Sequence, residues 1–258
     1  MIRSLLSADY PRSRLVAAIL LAIVLALALA PFLFPGARSL AVAAKILVFI
    51  LLVASYDLLL GYTGIVSFAH TMFFGIGAYG VAIASTRMGP GWDAVAVGVG
   101  CALALSALLA LVIGLFSLRV KAIFFAMITL AVAAAFQTLA SQLSEFTGGE
   151  DGLTFKVPEV LQPSFELFED AVLGVSIDGR LLSYYLLFVV VLALFLVLLR
   201  IVNSPFGRVL QAIRENDFRA EALGYRTVVF RTISNVLAAV FATLAGCMLA
   251  IWLRYNGP

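Results

Sequence analysis

Charge is what this sequence has least of. Of 258 residues, 17 are Lys or Arg and 14 are Asp or Glu, 12% in all, against 64% hydrophobic residues and a mean hydropathy of +1.12. Soluble domains carry about 25% charged residues, and so few ionised side chains cannot cover the outside of a water-soluble globule. Lipid must be the solvent for most of the surface, which excludes disorder, nucleic-acid binding and a disulfide-stapled secreted domain. Histidine occurs once, at His70, so neither a histidine-based metal site nor a Ser/His/Asp triad with a choice of partners is available. The two cysteines, Cys101 and Cys247, lie far apart inside apolar runs, without CxxC or CxxH spacing; they read as small packing residues. The sequence has no GxxxxGK, HExxH or GxSxG pattern and no acidic cluster within an apolar run. Catalysis, a metal and a cofactor are therefore not expected, and uphill work needs an ion gradient or another subunit.

What is present is a series of long apolar runs. A helix rises 1.5 Å per residue, so about 20 residues cross a hydrocarbon core of about 30 Å. Runs of that size at 15–34, 40–60, 65–85, 94–116, 122–143, 183–199 and 232–253 predict an all-α, polytopic integral membrane helix bundle of about seven spans, a single domain over 1–258. The runs are apolar all round, so length and absence of charge assign them, not periodicity. Short polar breaks at 35–39, 87–93 and 117–121 separate them. Arg3, Arg12 and Arg14 ahead of a run that reaches Ala28-Leu29-Ala30 also suit a cleaved signal peptide, but the run is long and Pro31 follows the small-residue site.

Direction follows from the placement of Lys and Arg. With an inside N-terminus, the inner segments hold Arg3, Arg12, Arg14, Arg119, Lys121, Arg200, Arg208, Arg214, Arg219, Arg226 and Arg231; the outer ones hold Arg38, Arg87, Lys156, Arg180 and Arg254. Lys45 falls within a span, where a long side chain can snorkel. The connection 144–182 is acidic and falls outside; the connection 200–231 is basic and falls inside.

Three segments carry more than packing information. In Tyr56-Asp57-Leu-Leu-Leu-Gly61-Tyr62-Thr63-Gly64-Ile-Val-Ser67-Phe68-Ala69-His70, two glycines and a row of hydroxyls interrupt the apolar pattern. Two readings stand open: a pore-lining break at membrane depth, tolerated only where protein or water satisfies the freed backbone, or a cytoplasmic turn between helices. Asp57 and His70 are the ionisable groups nearest the break. The glycines and alanines of 73–80 read as a close helix contact. In the basic loop, Phe206, Leu210, Ile213 and Asp217 recur at helical spacing after Ser204-Pro205, which predicts an amphipathic helix. Gly224 is placed to cap a second turn. Such helices either lie on the leaflet surface or dock a cytoplasmic partner.

Together these residues resemble the branched-chain amino acid ABC-transporter permeases, in particular the LivM-type subunit. The resemblance lies in Gly61-Tyr-Thr-Gly64…Ser67-Phe-Ala-His70…Phe74-Gly-Ile-Gly-Ala-Tyr79, in Thr147-Gly148-Gly149-Glu150-Asp151-Gly152-Leu153, and in Ser204-Pro-Phe206-Gly-Arg208…Arg214-Glu215…Ala222-Leu-Gly224, followed by Leu244-Ala-Gly246. It covers some 190 residues with its motifs in order. It implies a bacterial inner-membrane subunit with a cytoplasmic N-terminus, two cytoplasmic ATPase partners, a second homologous permease and a periplasmic solute-binding protein. It implies that Phe206, Arg208, Arg214, Glu215, Glu221 and Gly224 belong to the ATPase coupling loop, and that Thr147, Gly148, Gly149, Asp151 and Gly152 form an outer-loop motif.

On this reading Asp57, Thr63, Ser67 and His70 are candidates for a translocation path for branched-chain amino acids or, alternatively, urea or short amides. Position 57 is often Asn in the family, and members usually continue through further hydrophobic segments, so a C-terminal truncation is also an expectation. The alternative of another class is a stand-alone proton-coupled transporter or channel using Asp57 and His70.

Overall fold

Residues 13–34, 36–117, 122–165 and 178–257 are described by a computed structural model. Arg3, Arg12, Arg119, Lys121, Glu166, Glu169 and Asp170, which contribute to the charge asymmetry, lie outside them. The chain runs α1 (Arg14–Leu33), α2 (Ala37–Asp57), a π-helical turn (Leu58–Thr63), α3 (His70–Met88), α4 (Trp92–Ser117), α5 (Ala122–Gln142), α6 (Gly179–Val202), α7 (Pro205–Glu215), α8 (Asp217–Ala222) and α9 (Thr227–Leu253). Two short strands, β1 (Leu153–Thr154) and β2 (Tyr255–Asn256), pair antiparallel, Leu153 opposite Asn256. The result is an all-α polytopic helix bundle.

Six of the long helices among the described residues are long and apolar enough to cross a membrane. The seventh, α3, has 19 residues, about 28 Å of helix, but glycines, hydroxyls, His70 and Arg87 dilute its hydropathy. The third span was expected to begin at residue 65 and instead begins at His70. Gly64 takes a left-handed conformation, φ +72, which ends the π turn, and residues 65–67 run without helical structure into a turn at 68 and 69. A left-handed residue breaks the helical backbone, so the helix does not run through.

The centre of the bundle is α9. Two thirds of its spanning window is buried, against 11% for α1. It packs on α3 and α4 on one side and α2 on the other, with α6 behind α2 and α1 at the periphery. Small residues permit this. A Cβ at Gly77 would meet the Thr243 carbonyl, and one at Gly246 the Phe74 carbonyl, so α3 and α9 touch backbone to backbone. Without a hydrophobic drive between helices in lipid, such contact and interhelical hydrogen bonds hold the bundle. Asn235 donates to the Ala110 carbonyl (2.8 Å), and Thr243 Oγ1 lies 2.7 Å from the Ser106 hydroxyl and 3.2 Å from the Phe73 carbonyl.

At the periphery, Pro31 lies inside α1 and has no N–H, so the Leu27 carbonyl one turn earlier loses its helical partner. Tyr184 of α6 supplies it: its hydroxyl donates to Leu27 O at 2.5 Å, while Tyr185 donates to Ala28 O at 3.0 Å. Tyr184→Phe is expected to destabilise the bundle by about 1 kcal/mol. In a Pro31→Ala background, where an N–H returns to Leu27, that cost should shrink. A double-mutant cycle of thermal unfolding in detergent checks the coupling; equal costs in both backgrounds would refute it.

The two ends of the bundle differ. Glu221 accepts from the Thr227 hydroxyl (2.6 Å) at the start of α9, whereas β2 follows its end; its 27 residues hold these apart by about 40 Å. The basic connection therefore sits at one end and the described part of the acidic connection at the other. At the acidic end, Gly148, Gly149 and Gly152 all have positive φ (+75, +58 and +70), which is why the motif spends three glycines on one turn. Thr147 Oγ1 donates back to the Ala140 carbonyl (2.6 Å). The turn delivers Leu153 and Thr154 to β2, and the Arg254 guanidinium closes the junction on Leu161 O at 3.0 Å.

Candidate functional site

α5 stands off from the rest of the bundle, with few contacts to α3 and α4, and the gap is a groove of about 870 Å³ bounded by α2, α3, α5 and β2. Its wall is mostly apolar: Leu52, Phe74, Leu130, Phe136, Leu249 and Leu253 are part of it. Set into that wall are four buried polar atoms with no hydrogen-bond partner: Ser67 Oγ, His70 Nδ1, Tyr79 Oη and Asn256 Nδ2. Ser67 is 2% exposed, His70 5% and Tyr79 7%. Buried polar groups are nearly always paired, and four that are left unpaired among the described residues belong to residues lining this groove. His70 is held from its other side, with Nε2 2.8 Å from the Ser55 hydroxyl and the ring tilted against Tyr56 at 5.2 Å.

The four residues proposed from sequence are not brought together. Ser67 and His70 line this groove. Asp57 lines a second one, about 710 Å³, on an adjoining face of α2 that reaches Phe195 of α6; Val53 borders both grooves. Thr63 lines neither; its hydroxyl donates to Leu58 O (2.9 Å) and lies 3.0 Å from the Ser234 hydroxyl, tying the π turn to α9. Lys45 shares the second groove with Asp57 and is exposed there. Tyr79 and Asn256 escaped the sequence reading because one sits in a packing-like run and the other follows the last span. Only the missing partners mark them.

At the basic end α7 starts at Pro205, as its sequence suggests, but Ser204 Oγ turns back to Ile201 O (2.6 Å) rather than capping the helix. Gly207, Leu210 and Ile213 are buried against the bundle, and Phe206 stacks on Phe230 at 5.7 Å. Asp217, expected on the same helical face, belongs instead to α8: the chain turns extended at Asn216, whose side chain accepts from Arg219 N, and Asp217 pairs with Arg231 at 2.8 Å.

Arg208, Arg214, Glu215, Glu221 and Gly224 are exposed. Arg214 reaches the π turn and donates to the Gly61 carbonyl, with its stem against Gly64. Asp57 folds over the same Gly61. Beyond α7, Phe218 and Leu223 are 83% and 72% exposed, large apolar side chains on an otherwise polar surface that the sequence reading passed over. At the far end, Thr147, Gly148, Gly149, Asp151 and Gly152 form the turn under β2, where the Asp151 carbonyl accepts from Tyr255 Oη at 3.2 Å.

The fold and site together are those of a polytopic membrane helix bundle with a groove among its spans and an amphipathic helix at one end. A family model described as "Branched-chain amino acid transport system / permease component" matches residues 38–258, and the chain belongs to that family. It is 26% identical over 235 residues to the Salmonella typhimurium high-affinity branched-chain amino acid transport system permease protein LivM, covering 85% of this chain and 54% of the relative. Against LivM of Escherichia coli the figures are 26%, 84% and 53%. A probable LivM from Methanocaldococcus jannaschii is 26% identical over 60% of this chain and 44% of its own length. The chain thus spans about half the length of the curated relatives it matches. No solved structure matches it.

Proposed function

We propose that the chain is a permease subunit of an ATP-driven importer that carries branched-chain amino acids, or small amides such as urea, across a bacterial inner membrane, with its N-terminus in the cytoplasm. The observation that carries this reading is the groove with four unpartnered polar atoms along an apolar wall. An aliphatic solute with a polar head needs both surfaces.

Energy comes from two ATPase subunits that seat on the basic end, where Phe218 and Leu223 offer apolar knobs beside the open backbone of Gly224. A solute-binding protein docks at the acidic end. A second homologous permease covers the α2 face: Lys45 and Asp57 are exposed there, and Lys45 lies within the span, where a charge is costly against lipid. Arg214 connects the ATPase side to the break that leads to Ser67 and His70.

The test is uptake of labelled leucine, valine and urea by vesicles holding the chain with its co-purified partners. ATP inside should drive uptake of one solute class, and Phe218→Asp should remove the ATPase from the purified complex while leaving the thermal midpoint of the chain in place. Uptake by the chain alone, abolished by a protonophore and indifferent to ATP, would replace this reading with that of a proton-coupled transporter.

A further inference from the structure

We infer that α8 is splinted to α9, the central helix, by two side-chain rungs, and that Asp217, Glu221, Thr227 and Arg231 are positioning residues that carry movement of the ATPase-facing surface into the bundle. This rests on the importer reading and adds to it the route by which force enters the membrane.

Asp217 and Glu221 stand four residues apart on α8, and Thr227 and Arg231 four apart at the start of α9, so each pair shares one helical face. The two faces meet in antiparallel order. Asp217, the earlier acid, pairs with Arg231, the later partner, at 2.8 Å; the Thr227 hydroxyl donates to Glu221 Oε1 at 2.6 Å. Gly224, at φ +92, makes the reversal between the helices, and Tyr225 N closes it on the Ala220 carbonyl at 3.2 Å.

Both rungs are firmer than an ordinary surface contact. Thr227 is buried, and its bond to a carboxylate is charge-assisted. Asp217 Oδ1 and Arg231 Nε are withdrawn from water, so the ion pair is less screened than one in open solvent. Losing either member leaves the other uncompensated. Beside the rungs, Phe230 of α9 stacks on Phe206 of α7 at 5.7 Å and meets Tyr225 edge-on at 5.9 Å.

Phe218 and Leu223 stay exposed, so whatever seats on them pushes on a short helix that is fastened to α9. That helix packs on α2, α3 and α4, and α2 and α3 bound the groove. The resemblance puts Glu221 in the loop that meets the ATPase. In the structure one of its carboxylate oxygens is turned to α9 and works through Thr227.

The test uses the full chain with its co-purified ATPase, in lipid nanodiscs for amide exchange and in vesicles for transport. Thr227→Val and Arg231→Gln are each expected to speed hydrogen–deuterium exchange of the 217–224 amides several-fold. Each should also lower labelled solute moved per ATP hydrolysed several-fold, with the ATPase still bound and the thermal midpoint unchanged. Thr227→Ser, which keeps the hydroxyl, should match wild type, and Asp217→Arg combined with Arg231→Asp should recover most of the slow exchange that either change alone loses. A merely structural role would lower assembly and hydrolysis together and leave the ratio alone. Unchanged exchange with Thr227→Val and Arg231→Gln combined overturns the splint, and faster exchange with a wild-type ratio overturns the force route. Failure of the importer reading looks different: the wild type moves no leucine, valine or urea on ATP, and the force route falls with it, while exchange in the chain alone still decides the splint.

Discussion

Arg214→Ala is expected to lower solute transported per ATP hydrolysed by about tenfold, with hydrolysis itself still running. A hydrogen bond to a charged donor contributes about 1.5–3 kcal/mol, and about 1.4 kcal/mol is a factor of ten; the exposure of Arg214 puts it at the low end. The site explains the direction. Arg214 is the last cationic residue of α7, and its guanidinium holds the Gly61 carbonyl in a π turn, where wider-spaced backbone bonding leaves carbonyls poorly satisfied. Gly64 directly follows that turn with a left-handed backbone, and a Cβ there would meet the Arg214 stem. In the proposed mechanism, a push on α7 would arrive at this turn.

Arg214→Lys retains the charge without the planar fork and should fall between wild type and alanine. Measuring leucine uptake and phosphate release on the same vesicles checks this. An unchanged ratio in Arg214→Ala would mean that α7 acts through another contact.

The second large effect is on folding. Gly246→Leu is expected to abolish recovery of monodisperse protein, and Gly246→Ala to lower the unfolding midpoint clearly. Even the alanine Cβ would run into the Phe74 carbonyl, which is backbone and cannot rotate away. Overpacking ordinarily costs about 1–3 kcal/mol where side chains can adjust, and here α3 and α9 must separate, opening the best-buried contact in the bundle. Total stabilities of about 5–15 kcal/mol leave little margin. Gly77→Ala should behave alike, since its Cβ would meet the Thr243 carbonyl. At Gly100, where a Cβ meets nothing, alanine should be neutral. Size-exclusion recovery and thermal unfolding in one detergent separate these outcomes; a stable Gly246→Leu would mean that the helices do not cross this closely.

The α3–α9 crossing was half legible. The Gly75-Ile-Gly77-Ala-Tyr-Gly80 run announces close packing by residue type alone, but not which helix comes close. The same limit recurs at the site. Glycine and hydroxyl content located the break between Asp57 and His70, and the structure divides the two readings of it. Gly61 and Gly64 turn beside the basic-end helix α7, while the segment after them runs back along the bundle, with Phe68 N donating to Thr129 of α5 at 3.1 Å. Asp57 and His70, neighbours in the sequence argument, line different grooves, which meet at Val53 of α2.

By itself the sequence determined the solvent, the approximate number of spans, and which ends are basic and acidic, because each depends on run length and charge count summed over many residues. The resemblance placed the 147–153 motif in the outer loop, and the structure showed it as a turn with three glycines at positive φ. The tertiary structure decided which polar groups line one groove. Ser67, His70, Tyr79 and Asn256 come from a loop, a helix and a terminal strand, and Arg214 meets Gly61 across 153 positions. A helix that is apolar all round encodes no preferred face. Which side chains are left without partners, and so available to a solute, is set only when the neighbouring helices have taken their places.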